Sequence, residues 1–586
     1  MDEFDTVIQG GMIVDGSRVP RYRADVGIHN GKIAKIGNLK KADAKKVLDA
    51  EGLIVAPGAI DLHTHYDAQL HWDPYCTIDG LHGVTSVTIG NCGFGFAPVR
   101  PEDAERSMLA MTRNEAIPME PMRQTMPFNW ETFPQWMDHL GKLPLGVNLS
   151  SLVPVTPLVT YVMGGWNNAK SRLPNEKEMA EVIKLLNEGL DAGAVGWSAQ
   201  RLPPGGVASF QRDFDGSPMV SDVLSDEFYL ALAQTLGKRD QGCIQYTQVS
   251  MNFDDPKRTA EADLAFTARL AEESGRPLLF NSIVINDEFP DIFRAQLDWL
   301  KKSNDRGIRI FGQASSVRIS LTFTFEDWNL FDQSDPWREA TLGTHAEKKQ
   351  KMASGELRNA MKAEYDSGEF TRSRPYLPFE IEIKTYVATK IFDRDLAKFE
   401  GKTLAEIAAA LGKHVIDAML DVSLADDLKT EWRTPMLNVR SDYAKEVMTS
   451  PYSLAGLSDG GAHTKFLTAG VWPTDLLTWM VRDTGALSLE EAHYRMSGLP
   501  AWASGFKDRG FVREGLAADL MIYDLDKLAI GPWEVRHDLP CGEWRRVQNA
   551  IGYRWIVVNG QVTFEDGKCT GATPGRLLRG GEALYA

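Results

Sequence analysis

An early apolar run ends in two histidines, Gly58-Ala59-Ile60-Asp61-Leu62-His63-Thr64-His65. On a β-strand, residues i and i+2 project to one face, so His63 and His65 are placed to bind one metal ion together. Late in the chain a second apolar run ends in an acid, Ser453-Leu454-Ala455-Gly456-Leu457-Ser458-Asp459-Gly460-Gly461-Ala462-His463. Two imidazoles and an aspartate, each at a strand end, are what is needed to hold a divalent ion and activate a water. The competing reading of Asp459 is a turn or helix cap, since Ser-Asp-Gly is also turn chemistry.

The elements that must position these residues follow from the apolar pattern. Strand-like runs at 54–62, 84–91, 146–153, 193–199, 243–249, 277–284, 308–315 and 452–458 alternate with helical segments. That alternation predicts an α/β architecture, a (β/α)8 TIM-like barrel, with chemistry collected where the strands end. Segment 175–190 is the model helix: Asn175 and Glu178 form a capping-box start, and Met179, Val182, Ile183, Leu186 and Leu190 form an apolar face. Residues 1–56 and 508–586 read instead as short strands with hairpin signals at Asn30-Gly31 and Asn559-Gly560, and predict one small β-sandwich built from both termini. The barrel is expected over 57–507. It is interrupted by an insertion at about 319–450 that carries Phe323, Phe325, Trp328, Phe331 and Trp337 and a charged helical stretch over 343–366. An insertion this long is a lid over the site, or a packed subdomain or oligomer contact.

Composition narrows the partners. A chain of 586 residues with 43% hydrophobic and 25% charged residues is an ordinary globular protein, large enough for more than one unit. Its net charge of −16 argues against nucleic acid and anionic membranes. The acidic start Met1-Asp2-Glu3-Phe4-Asp5 lacks a secretory pattern, no run approaches a membrane span, and five scattered cysteines suit a reducing compartment. The expectation is a cytoplasmic, homo-oligomeric protein with a small-molecule partner.

Several motifs carry a family resemblance. Pro57 to Asp67 followed by His71-Trp72-Asp73-Pro74 resembles the first-strand signature of the amidohydrolase superfamily. Gly83-Val84-Thr85-Ser86-Val87-Thr88-Ile89-Gly90-Asn91-Cys92-Gly93 is similar to the second strand of its D-aminoacylase (N-acyl-D-amino-acid deacylase) branch. The likeness resumes at Gly193 to Ser198, Ser458 to His463, Ser488 to Ala492, Asp508-Arg509-Gly510, Gly515 to Leu520 and Val558-Asn559-Gly560, leaving 319–450 largely outside it. The resemblance implies a barrel with a small β-sandwich that cleaves an amide or related C–N bond with metal-activated water. His63 and His65 would be first-strand ligands, Cys92 the second-strand ligand, and Asp459 both metal neighbour and proton shuttle. Neutral imidazoles and a thiolate suit Zn2+, although other divalent ions remain open. A cysteine taken alone is more often a buried small hydrophobe, but Cys92 in Asn-Cys-Gly at a strand end favours ligation.

The chain departs from that pattern where the branch supplies histidines from the fifth and sixth strands, because no histidine lies between His139 and His345. The resemblance, read along Ile244 to Val249 and Leu278 to Ser282, puts Gln248 and Asn281 there, neutral amides suited to hydrogen bonds with substrate or water. One ion per chain is therefore expected, at His63, His65 and Asp459 with Cys92. His463, Ser198, Arg201 and Arg318 follow strand ends and are candidates for substrate contact, against the alternative of loop lining or solvated charge. His71 and His82 are expected to be structural, and His345 is a remote alternative ligand. The leading function is hydrolysis of an N-acyl amino acid or a related linear or cyclic amide. The alternatives are an ester, lactone or carbamate on the same scaffold, or a non-catalytic scaffold protein.

Overall fold

The computed structural model describes residues 4–40, 42–202, 211–249, 256–285, 287, 290–327, 330–368 and 382–580. At its centre, parallel strands follow one another in chain order. Ala59–Asp61, Val84–Ile89 and Asn148–Ser151 form one sheet. Val153–Pro154, Gly196–Arg201, Cys243–Gln248, Leu278–Ile283, Ile310–Ala314 and Ser453–Leu454 form a second. Helices lie between them, among them Glu176–Asp191, whose Asn175 side chain accepts from Lys177 N and Glu178 N while Glu178 accepts from Asn175 N. At the outer ends of the two sheets a parallel bridge joins Thr64 to Gly460, and Ile60, Cys243, Leu279, Phe311 and Leu454 share one apolar cluster.

Two of the expected strands are divided. The run 54–62 breaks at Gly58, where an added Cβ would lie 2.2 Å from the Thr85 side chain. Ile54–Pro57 therefore joins a different sheet from Ala59–Asp61. The run 146–153 breaks at Leu152, and the C-terminal tail accounts for the gap between the two parallel sheets. Leu578 N donates to Leu149 O, Leu149 N to Arg576 O, and Gly580 N to Gly193 O, so the tail runs between Leu149 and Gly193, beyond which Val195 N donates directly to Ser151 O. Backbone groups that adjacent strands would exchange are satisfied there by the tail instead.

Both chain ends contribute to a seven-stranded sheet, in the order Lys568–Cys569, Gln561–Glu565, Tyr553–Val558, Leu520–Tyr523, Ile54–Pro57, Met12–Ile13, Tyr22–Arg23. A four-stranded sheet of N-terminal strands shares an apolar cluster with it, including Ile8, Val26, Ile28, Leu520, Ile522 and Trp555. The turns at Asn30-Gly31 and Asn559-Gly560 take positive φ at both central residues, as two-residue hairpins require.

The insertion has a core of its own. Phe323, Phe325, Phe331, Trp337, Ile416, Met419 and Trp432 cluster around a three-stranded antiparallel sheet of Thr322–Phe323, Glu431–Arg433 and Val387–Lys390. The charged stretch forms helices His345–Met352 and Gly355–Ser367. Trp328 lies outside the described residues. No helix among the described residues is long and apolar enough to cross a membrane.

One buried knot joins the terminal strands to the parallel sheets. The Asp519 carboxylate pairs with the Arg509 guanidinium and accepts from Asn559 N at 2.7 Å and Asn148 Nδ2 at 3.0 Å. Asn559 Nδ2 in turn donates to Asn148 Oδ1 at 2.7 Å. Removing the carboxylate leaves the buried guanidinium with the half-exposed Asp508 alone and strands the Asn559 and Asn148 donors, which costs about 1–3 kcal/mol. Asp519→Ala is therefore expected to lower unfolding stability by about that amount in a denaturant titration. A loss under about 1 kcal/mol would mean that the knot is not the joint described here.

Candidate metal centre

His63 and His65 follow strand Ala59–Asp61, and their imidazoles are buried. His63 Nδ1 faces Gln313 Oε1 at 3.2 Å, the arrangement that fixes the tautomer leaving the Nε2 lone pair free. His63 Nε2 lies 3.3 Å from Cys92 Sγ and 3.4 Å from Asp459 Oδ1, and His65 Nε2 lies 3.7 Å from the same carboxylate oxygen. His63, His65 and Cys92 form a buried group whose ligand atoms all lie within 4.8 Å of one another. Donors held at about 2.0–2.3 Å in a tetrahedron around one small ion stand about 3.3–3.8 Å apart, so this spacing fits a shared cation.

Local backbone explains the aim of each side chain. Strand Val84–Ile89 ends at Gly90, and Cys92 takes the left-handed conformation at φ 56°. Asp459 and His463 also have positive φ, 51° and 53°. L-residues take that conformation at a cost of about 1–2 kcal/mol, and such costs cluster at functional sites. Around Cys92 the turn is held by Cys92 N donating to Gln245 Oε1 at 2.7 Å and Gly93 N to Ser198 Oγ at 2.9 Å, while Ser198 donates onward to Gly90 O. Asp61 ties the two halves of the site together. Its carboxylate accepts from His63 N at 2.9 Å, Ser458 N at 3.3 Å and Trp472 Nε1 at 2.9 Å.

The electrostatics are one-sided. Asp61, Asp67, Asp79, Glu115 and Asp459 surround the two imidazoles, and none has an ion pair with a lysine or arginine among the described residues. Burial pushes Asp61 up to about 6 and Asp67 up to about 7, and burial with the charge of Asp61 pushes Asp459 up to about 7. Burial drives Glu115 and the Cys92 thiol well above their ordinary ranges. It lowers His63 and His463 to about 4, and His65 falls well below its usual value, leaving the rings neutral at pH 7. Neutral imidazoles beside buried carboxylates form the donor set of a divalent cation. Buried His65 Nδ1, Asn281 Oδ1 and Gln313 Nε2 have no hydrogen-bond partner among the described residues.

Of the residues expected from sequence, His63, His65, Cys92 and Asp459 come together, and His463 and Asn281 adjoin them. Asn281 faces the Cys92 thiol and pairs in register with Gln313. Ser198 buttresses the Cys92 turn. Gln248 and Arg201 are placed elsewhere. They are register partners on adjacent strands and share the helix-facing side. Gln248 donates to Asp263 at 2.9 Å and accepts from Tyr246 at 2.8 Å, while Arg201 pairs with Asp226 and lies over the Tyr229 and Phe266 rings. On the fifth run it is Gln245 and Thr247 that face Cys92, a shift of one residue that reverses the side. Arg318 is held by Asp475, His345 pairs with Asp427 inside the insertion, His71 stacks among Trp130, Trp136 and His139, and His82 bonds Thr474 and the Gln548 carbonyl. Gln313 and Glu115 carry no motif that sequence reasoning could have found.

Comparison with known proteins agrees with this arrangement. The model of the amidohydrolase family matches residues 46–564. An uncharacterised protein of Mycobacterium tuberculosis is 28% identical, over 99% of this chain and 96% of that one. D-aminoacylase of Alcaligenes xylosoxydans xylosoxydans is 25% identical, over 98% and 97%. Among solved structures, the N-acyl-D-glutamate deacylase from Bordetella bronchiseptica, complexed with zinc and a phosphonate mimic of the tetrahedral intermediate, has a TM-score of 0.65 at 22% identity. That likeness covers 99% of this chain and 100% of that one and shows a common TIM-barrel-type fold. Since the family model spans nearly the whole chain and its deacylase relatives align from end to end, this chain belongs to the amidohydrolase family, hydrolases of carbon–nitrogen bonds other than peptide bonds.

Proposed function

We propose that the chain hydrolyses the amide bond of an N-acyl amino acid, or of a related linear or cyclic amide, at a single-metal centre held by His63, His65, Cys92 and Asp459. The observation that carries this reading is the convergence of two neutral imidazoles, a thiol and a carboxylate in a buried acidic environment with no fixed cation among the described residues. The deacylase names of the relatives support the substrate class. We read the two parallel sheets as one barrel closed across Thr64 and Gly460, covering 57–507 with the insertion at about 319–450. The terminal segments 1–56 and 508–586 form a β-sandwich beside it.

A divalent ion at this centre supplies Lewis acidity, lowering the pKa of a water from 15.7 toward about 7 and polarising the substrate carbonyl. The chain supplies the rest. Asp459, its side chain 34% exposed, is the group that incoming substrate meets, and it receives the water's proton and returns it to the departing nitrogen. Asp61 fixes the loops of His63 and Asp459 relative to each other, so the proton acceptor keeps its distance from the ligands. Gln313 orients His63, and Gln245 with Ser198 keeps the Cys92 turn in place. Neutral Gln245, Thr247 and Asn281 on the fifth and sixth runs favour one ion rather than two.

Protein purified without added metal is expected to hold about one zinc per chain by elemental analysis, and His63→Ala or His65→Ala to hold almost none. Asp459→Asn is expected to keep the wild-type circular dichroism spectrum and lose about 10²–10⁴-fold in kcat on the best N-acyl amino acid of a panel containing both enantiomers. Near-normal turnover would remove Asp459 as proton carrier.

The ion must also compete with protons. Burial lowers His63 to about 4 and His65 well below its usual value, whereas Asp459, raised to about 7, is ionised at pH 8 and protonated at pH 5. Between about pH 4 and 7 the folded metal-free chain holds a proton that the unfolded chain has released, so this group's contribution to stability falls as pH rises. Zinc is therefore expected to raise Tm strongly at pH 8 and weakly at pH 5 in calorimetry. Equal increments would exclude Asp459 from the ligand set.

A further inference from the structure

Glu115 is a buried carboxylate for which the roles above have no use, and unlike those of Asp67 and Asp79 its side chain accepts no hydrogen bond from a described residue. It follows helix Ala104–Asn114 and lies in a segment anchored on both sides. On one side, Arg113 donates to Asp332 and Thr341 in the insertion, and Ala116 joins the insertion's apolar core. On the other, His463 N donates to Glu115 O at 2.7 Å, linking the segment to the loop that carries Asp459. The carboxylate is thus delivered to a fixed place. Glu115 Oε2 stands 3.7 Å from His65 Nε2 and 3.6 Å from His463 Nε2.

Those separations are too long for hydrogen bonds. They match the 3.4 and 3.7 Å that separate Asp459 Oδ1 from His63 Nε2 and His65 Nε2, the spacing of donors aimed at a common centre. No described residue donates a hydrogen bond to the Glu115 side chain. A buried carboxylate in that condition is stable when it is paired or coordinates a cation. The neighbouring runs offer only Gln245, Thr247 and Asn281, which bring no charge to the centre.

We propose that Glu115 is a ligand of the ion held by His63 and His65, supplying the anionic donor that neither the fifth nor the sixth parallel run contributes. This rests on the metal centre proposed above. It gives the insertion a role: by holding Arg113 and Ala116, it sets the reach of Glu115 to the ion. His463 acts as a positioning residue for that carboxylate.

The test is Glu115→Gln in the full-length chain, because glutamine keeps the hydrogen-bonding shape and removes the charge. Zinc affinity is measured by chelator competition, and the visible spectrum is recorded after Co2+ substitution. A ligand role predicts a loss of more than about 100-fold in zinc affinity, beyond the range of an outer-shell partner, together with an altered cobalt spectrum. Zinc affinity within about tenfold of wild type and an unchanged cobalt spectrum would overturn the proposal. His63→Ala in parallel separates the two levels of inference: if it also retains zinc, the metal centre itself is wrong, not only the place of Glu115 in it. Should the glutamine variant fail to fold, Glu115→Asp, which withdraws the carboxylate by one methylene, is read in the same way. A changed cobalt spectrum supports the ligand and an unchanged one removes it.

Discussion

Four buried carboxylates and the partly exposed Asp459, gathered in and around the site of two neutral imidazoles with no lysine or arginine paired to any of them among the described residues, form the constraint on which the site depends. A protein interior does not hold such a group of acids ionised without a compensating charge. Protonation is one remedy, and burial does shift these groups in that direction. A divalent cation is the other, and the geometry favours it, because the imidazole lone pairs and carboxylate oxygens converge rather than hydrogen-bond to one another. The surrounding hydrogen bonds keep the donors convergent. Asp61 spans the His63 and Asp459 loops, Ser458 bonds Asp79, and Ser198 and Gln245 brace the Cys92 turn.

How much of this was legible in the chain depends on how local each signal is. His63 and His65 lie two apart at the end of one strand, so pattern alone places them on one face. Asp459 lies in a Ser-Asp-Gly-Gly turn after an apolar run, and Cys92 in an Asn-Cys-Gly turn, both readable over a few residues. The fifth run is readable as a strand, and the alternation Ile244-Gln245-Tyr246-Thr247 sends Ile244 and Tyr246 to the apolar core and Gln245 and Thr247 to the site. Gln248 is a polar residue on the apolar side, and the family resemblance, followed in place of the alternation, sets it where Gln245 and Thr247 stand. Arg201 pairs in register with Gln248, so the two form one displacement. Gln313 and Glu115 had no signal, since each meets the site only through tertiary packing.

The segments outside the parallel sheets act on the site through position. Asp508-Arg509-Gly510, Ala518-Asp519 and Val558-Asn559-Gly560 carry the family resemblance far from any chemistry, and the Asp519 knot supplies the physical reason. They seat the terminal strands on Asn148, in the run next to the one that leads to Cys92. The C-terminal tail does comparable work by filling the gap between Leu149 and Gly193. Such contacts join several sheets at once, so their residue types are constrained as tightly as those of ligands.

The backbone at the site argues in the same direction. Cys92, Leu457, Asp459 and His463 all take positive φ without being glycine. A glycine at any of them would relieve the local cost and lose the side chain, so the chain bears about 1–2 kcal/mol at each position to present a particular atom. Three of the four side chains so presented are a thiol, a carboxylate and an imidazole within the same acidic enclosure. A sequence with no need for a cation there would gain stability by replacing these residues and the buried acids around them with apolar side chains. The hydrogen bonds of Asp61 and Asp79 return part of that cost, and a bound cation, as proposed, would account for the rest.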